Sequence, residues 1–226
     1  CQKFFNLTVK RAFPRNLPVG NYSGYFFGMA YPACGWQVNT PEMFDSEAMD
    51  YQVSPYSYSY RKTGDCGLPR NVFESYAFHG KAALLESDAR PHQASDPADG
   101  HSKNEAESIG QLSRDFCNAL TRGAGMWYYD FAGGWYDRPE YLGLFQKFLQ
   151  IWGSNPDASR VSEIAIVCDF SSVPYHTAAV NPNRYTHNMI SNAARELYKS
   201  GAPFDAILFE DLHRKATPKY KMYLFP

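Results

Sequence analysis

Long apolar runs are missing from this chain of 226 residues, and none is extensive enough to cross a bilayer, so no membrane-spanning segment is expected. A starting Met and a basic-then-apolar leader are missing too, and the chain reads as soluble. Charge of one sign is not in excess: 22 Lys and Arg against 23 Asp and Glu leave a net charge of -1, which argues against a polyanionic partner such as nucleic acid. Cysteines are few, at positions 1, 34, 66, 117 and 168, and no two stand in a CxxC pair. Neither a zinc site nor a disulfide framework is expected, so no metal and no cofactor is called for; the compartment stays open, with the cytoplasm favoured. Also absent are GxGxxG, a Walker loop, HExxH and a GxSxG elbow, which removes the dinucleotide, P-loop, zinc-protease and serine-hydrolase readings.

What is abundant is aromatic. Tyr, Phe and Trp number 17, 16 and 4, or 16% of the chain, more than a core of this size needs. Aromatic faces pack cores, and they also serve as platforms for the apolar faces of sugars. With 44% hydrophobic and 20% charged residues the composition is otherwise globular.

Four strand-like pieces run in succession: Val19 to Phe27, Met49 to Tyr60, Ala82 to Leu85, and Gly125 to Phe131. Each leads into polar or aromatic residues. A short helical turn is expected at Glu42 to Ala48, and helices at Ala106 to Arg122 and Pro139 to Trp152, where apolar residues recur at helical spacing. The first of these stripes is Ile109, Leu112, Phe116 and Leu120; Pro139 stands early in the second helix, where its missing donor is harmless. From Glu163 the pattern becomes strand, loop, helix (Thr186 to Ser200), turn, strand (Phe204 to Phe209) and strand (Tyr220 to Phe225), the opening of a doubly wound α/β domain.

Glu86 is the most informative residue. The stretch Ala82-Ala83-Leu84-Leu85-Glu86 delivers a carboxylate at the C-terminal end of an apolar strand, where catalytic side chains of an α/β barrel sit. Period two puts Asp88 on the same side, and two carboxylates there need Arg90, Lys81 or a substrate between them. His79, Lys81, Arg90 and His92 make the surroundings densely polar. The competing reading of Glu86 is a strand-end carboxylate that caps or salt-links. Tyr56 and Tyr58, in the long loop Tyr56 to Glu74, are candidates to orient a carboxylate, with loop packing as the alternative. Trp127, Tyr129, Asp130, Trp135 and Tyr136, around the Gly133-Gly134 turn, are candidates for a sugar platform. Asp50, Asp88 and Asp130 are the candidates for the second carboxyl group that glycoside cleavage requires. Cys168, without glycine neighbours, reads as a buried thiol.

Several segments together carry a family likeness: Ser54-Pro55-Tyr56-Ser57-Tyr58, Phe78-His79-Gly80-Lys81, Glu86 with Asp88-Ala89-Arg90-Pro91-His92, Gly123 to Trp135, Ala202-Pro203-Phe204-Asp205, and Glu210-Asp211-Leu212. The chain resembles the family 42 glycoside hydrolases, the β-galactosidase type, and their uncharacterised relatives, over nearly its whole length. The resemblance implies a fold: the C-terminal half of a (β/α)8 TIM barrel over residues 1–152, a linker at 153–160, and the start of a glutamine-amidotransferase-like trimerisation domain over 161–226. Strands five to eight then fall at Val19, Met49, Ala82 and Met126. It further implies retaining β-glycoside hydrolysis, with Glu86 as nucleophile and Trp127 lining the sugar site. Tyr56, Tyr58, His79, Arg90, Asp130 and Trp135 are taken as substrate-binding, a carbohydrate as the ligand, and a homotrimer as the full-length assembly. The family's acid/base Glu falls upstream of Cys1, so the chain reads as a fragment, inactive alone. A carbohydrate-binding or assembly protein that keeps the fold without hydrolysis is the alternative.

Overall fold

A computed structural model describes residues 2–13, 15–22, 40–95, 100–154, 160–172 and 184–226. The described elements are α1 (Gln2–Ala12), β1 (Gly20–Tyr22), α2 (Thr40–Asp45), β2 (Tyr51–Pro55), α3 (Phe73–Phe78), β3 (Ala82–Ser87), α4 (Glu105–Thr121), β4 (Gly125–Tyr128), α5 (Pro139–Gly153), β5 (Ile164–Cys168), α6 (Arg184–Ser200), β6 (Phe204–Leu208), a 3-10 turn (Phe209–His213) and β7 (Met222–Leu224). The protein is therefore α/β. The part of the expected first strand beyond Tyr22 and most of the expected linker lie outside the described residues.

Local chemistry sets the helix limits. Asn104 caps α4 by accepting from the Glu107 amide at 2.9 Å, and the Glu107 carboxylate returns to the Lys103 amide at 2.9 Å. Glu105 and Glu107 in the first turn also complement the positive end of the helix dipole. Pro139 opens α5, where no intrahelical donor is needed. α3 is only six residues long, and its chain reverses at Gly80, whose φ of 66° lies in the left-handed region.

β1 to β4 form one sheet in chain order. β1 pairs with β2 in parallel, from Gly20 against Tyr51 to Tyr22 against Val53. The Ala82 amide donates to Asp50 at the start of β2 and β3, and the Tyr56 amide donates to Glu86 at their ends, so these two strands also run parallel. The Tyr129 amide donates to the Ser87 carbonyl, which aligns β4 with β3 in the same sense. Helices α3 and α4 are the crossovers that parallel neighbours require.

A second, three-stranded sheet has the order β6-β5-β7, with both pairings parallel. β5 lies in the middle, so the strand order reverses there, the arrangement with which doubly wound sheets begin.

The chain falls into two compact units that do not follow chain order: Cys1–Ser54 with Arg70–Leu84 and Ser162–Pro226, and Pro55–Pro69 with Leu85–Val161. The first unit combines α3 with the strands of the second sheet. Within the first unit, the Glu74 carboxylate accepts the Ala206 amide and Ser75 Oγ accepts the Leu208 amide, both from the outer edge of β6. A helix from the first sheet's crossovers thus closes an otherwise open strand edge of the second sheet. Beside it, Ala165, Val167, Ile207 and Tyr220 form a core to which Phe78 and Leu212 add. In the second unit, Ala89, Ala94, Leu112, Trp135, Tyr136 and Tyr141 form the core, and the Phe116 and Phe148 rings stack at 4.1 Å between α4 and α5.

Candidate functional site

β3 separates two environments by its period of two. Ala83, Leu85, Ser87 and Ala89 are buried, while Ala82, Leu84, Glu86 and Asp88 on the other face are partly or fully exposed. The buried face belongs to α4. Ser87 Oγ donates to Asp115 Oδ2 at 2.7 Å, Tyr56 Oη donates to the Asp115 carbonyl at 2.5 Å, and Tyr128 Oη donates to the Leu112 carbonyl at 2.7 Å. Burial pushes the Asp115 carboxyl up, against the pull of Arg114 and Ser87.

The opposite face carries the candidate site. The two end-of-strand bonds, Tyr56 to Glu86 and Tyr129 to Ser87, set the register on both sides of β3. Pro55, Glu86 and Trp127 therefore form one row across the three strands, and Asp88 and Tyr129 follow just past the ends of β3 and β4. Side chains in one row of a parallel sheet share a face, so the half-buried Glu86 stands beside the half-buried ring of Trp127.

Asp88 is held by two cations. Arg61 Nη2 lies 2.6 Å from Asp88 Oδ1, and Arg90 Nη1 lies 3.6 Å from Oδ2. Arg61 is 2% exposed, and its guanidinium lies 4.4 Å from the Tyr58 ring centre. The loop that presents Arg61 is anchored along one stripe of α4. Gln111 donates to Thr63, Arg114 Nη1 donates to the carbonyls of Arg61, Lys62 and Asp65, and Asn118 donates to those of Cys66 and Gly67. A Cβ on Gly67, at φ 58°, would come within 2.3 Å of Arg114 Nε, so the close approach needs glycine on both counts.

After β4 the Asp130 carboxylate closes a turn, accepting the Gly133 amide at 2.7 Å and the Trp135 amide at 3.0 Å, with Gly133 and Gly134 both at positive φ. This turn drives Trp135 inward to 1% exposure, with the Arg90 guanidinium 5.3 Å from its ring centre. The Trp135 carbonyl takes a bond from Gln93, which accepts from Tyr141 Oη; His92 Nδ1 lies 3.0 Å from the same hydroxyl. His92 Nε2 faces Arg138 at 3.1 Å. A guanidinium only donates, so Nε2 accepts and Nδ1 carries the proton.

The structure thus brings Glu86, Trp127, Tyr58 and Arg90 to the C-terminal ends of β3 and β4 or the loop that reaches them. It places the other sequence candidates differently. Tyr56 is buried on the α4 face, on the other side of the sheet from Glu86. Trp135 is a core ring rather than an open platform, and Asp130 is engaged in its own turn. His79 precedes β3, at the opposite end of the strand from Glu86. Its Nδ1 lies 2.8 Å from Asp45 Oδ1 and its Nε2 lies 2.8 Å from Asp211 Oδ1, so both ring nitrogens face carboxylates. Asp50 also sits at that end, bound to Lys10 at 2.8 Å and to the Val19 amide at 2.7 Å.

Arg61 and Arg114 are the residues sequence reasoning missed. Their partners come from strand register and helix packing, and the local sequence around Arg61 marks only a polar, tyrosine-rich loop. Among the described residues no group of three or more His, Cys, Asp or Glu side chains could hold a metal ion, and no helix is long and apolar enough to cross a membrane. Cys168 is fully buried, and that burial pushes its thiol up. Comparison with family models, curated proteins and solved structures finds no match to this chain.

Proposed function

We propose that the full-length protein is a retaining β-glycosidase, β-galactosidase-like, in which Glu86 attacks the anomeric carbon. The observation that carries this reading is the row Pro55-Glu86-Trp127: a carboxylate at the C-terminal end of a parallel strand, flanked by an aromatic ring on the next strand. A sugar lying on the Trp127 ring would present its anomeric carbon to the neighbouring carboxylate. The parallel strands in chain order are compatible with the second half of a (β/α)8 barrel, whose catalytic groups sit at this end of the strands. The β6-β5-β7 order likewise suits the start of an amidotransferase-like trimerisation domain.

In this mechanism Glu86 forms the glycosyl-enzyme ester as the leaving oxygen takes a proton from a second carboxylic acid, which then activates water. Asp88, Asp130 and Asp50 are poor choices for that acid, since each is committed to guanidinium, amide or ammonium donors. The family resemblance implies a Glu upstream of Cys1 in that role. The same commitment favours the second reading, a carbohydrate-binding or assembly protein without hydrolysis, should that Glu be replaced.

The test is hydrolysis of a panel of aryl β-glycosides by the full-length protein and by its Glu86→Gln variant. Loss of a clear activity with the fold retained supports the enzyme. Sugar binding without turnover in the wild type supports the binding protein.

A further inference from the structure

We propose that Arg61 is a positioning residue that keeps Glu86 ionised by cancelling the charge of Asp88. The nucleophilic role of Glu86 rests on the reading above; the charge relation stands on the geometry of the strand and its loop. Glu86 and Asp88 share one face of β3, and two residues of strand separate their Cα atoms by about 7 Å. Two carboxylates at that spacing oppose each other's ionisation. A nucleophile must be ionised to attack, so an uncompensated Asp88 would work against the chemistry at Glu86.

The compensation is built in from outside the strand. Arg61 reaches Asp88 Oδ1 at 2.6 Å from the loop, with the guanidinium side chain 3% exposed. Burial on this scale weakens solvent screening, and a planar guanidinium stays charged at any working pH. Arg90, 3.6 Å from the other Asp88 oxygen, adds a second positive charge. From β2 the row position beside Glu86 is Pro55, which does not titrate. From β4 it is Trp127, followed by the Tyr129 phenol and by Asp130 in its own turn. The loop carrying Arg61 is itself fixed, because Arg114 Nη1 donates to the Arg61, Lys62 and Asp65 carbonyls. Three donor side chains on α4, Gln111, Arg114 and Asn118, thus fix the loop that carries the Arg61 charge.

The experiment is an NMR titration of the Glu86 carboxyl in full-length protein carrying labelled glutamate, with Glu86→Gln to assign the signal. It compares the wild type, Arg61→Met, Asp88→Asn and the double variant, and records the pH profile of kcat/KM for each. Arg61→Met is expected to raise the Glu86 midpoint by about one pH unit or more, carrying the acid limb of the rate profile with it. Adding Asp88→Asn to that variant should reverse the rise.

Arg61→Met leaves a half-buried carboxylate with one partner fewer and is the variant most exposed to misfolding. Asp88→Asn keeps an acceptor for Arg61 and tests the same idea with the opposite sign. It removes the negative charge but leaves both guanidiniums, so the Glu86 midpoint should fall below the wild-type value. Midpoints that coincide in wild type and Asp88→Asn overturn the proposal, whatever the hydrolysis assay shows. A wild type without hydrolysis, whose Glu86 midpoint still moves as stated, supports the charge relation while removing the glycosidase reading.

Discussion

Glu74 on α3 accepts the outward-facing amide of Ala206 on β6 at 2.5 Å, and so closes a strand edge with a helix side chain. Ser75 repeats the contact at Leu208, two residues along, at 2.8 Å. Backbone amides two apart on a strand point the same way, and adjacent residues on a helix reach both. Glu74→Ala leaves the buried Ala206 amide without its acceptor and should cost about 1–3 kcal/mol of stability; Ser75→Ala should cost about 1 kcal/mol. Urea unfolding measures both, and an unchanged midpoint in Glu74→Ala would show that the edge is satisfied in another way.

The loop from Tyr56 to Pro69 depends on Arg114. Replacing it with Met removes donors from three carbonyls, and the Asp65 and Gly67 amides, which close the loop on Lys62 and Tyr60, should exchange faster with solvent. Gly67→Ala should produce the same acceleration, because a methyl group there meets Arg114 and the backbone is at positive φ. Hydrogen exchange confined to residues 60–68 is the expected signature. Protection equal to wild type at Asp65 and Gly67 would show that α4 does not hold the loop.

Acid should weaken the protein through two carboxylates at the start of the first sheet. Burial alone would push Asp45 up, but the hydrogen bond from Arg214 and the charges of His79 and Arg214 outweigh it and leave Asp45 lowered. Burial likewise opposes ionisation of Asp50, and the Lys10 and Val19 donors outweigh that. A folded-state pKa below the unfolded one stabilises fully above about pH 4 and loses that contribution as pH falls through the lower folded value. Asp50→Asn should therefore be less stable than wild type near neutrality and converge with it in strong acid. Urea midpoints taken across pH would contradict this if the two curves stayed parallel.

Trp127 and Trp135 should separate by role. Trp135→Ala empties a core position and should cost about 3–5 kcal/mol. Trp127→Ala, on the half-buried Glu86 face, should lower sugar affinity while leaving unfolding close to wild type. Calorimetric sugar titration alongside thermal unfolding distinguishes them, and equal sugar affinity in Trp127→Ala and wild type would remove the platform.

The parts of this fold that are legible in sequence are those where one period dominates. The stripe Ile109, Leu112, Phe116 and Leu120 declares α4, whereas Ala82 to Leu85 shows in sequence only as a short apolar run, its alternation appearing in burial. α3 is hidden because Phe73, Glu74, Ser75 and Tyr76 are all buried, so no polar face marks the helix, and Val72 gives it no side-chain cap. Trp135 looks like an open ring beside two glycines. Only the Asp130 carboxylate, reaching five residues ahead, turns it into the core. The Arg61–Asp88 pair joins residues 27 apart through strand register, which no local pattern records. Glu86 itself is readable because a carboxylate ending an apolar run is conspicuous, whereas its row neighbour Trp127 is known only once β3 and β4 are aligned.

A nucleophilic Glu86 would carry the sugar as an ester, which trapping captures. Full-length protein is incubated with a β-glycoside fluorosugar that forms a slow-turning glycosyl-enzyme, then digested and mapped by mass spectrometry. One added sugar is expected, on the peptide containing Glu86 and absent from Glu86→Gln. A stable label on another carboxylate, or turnover undiminished in Glu86→Gln, would contradict it.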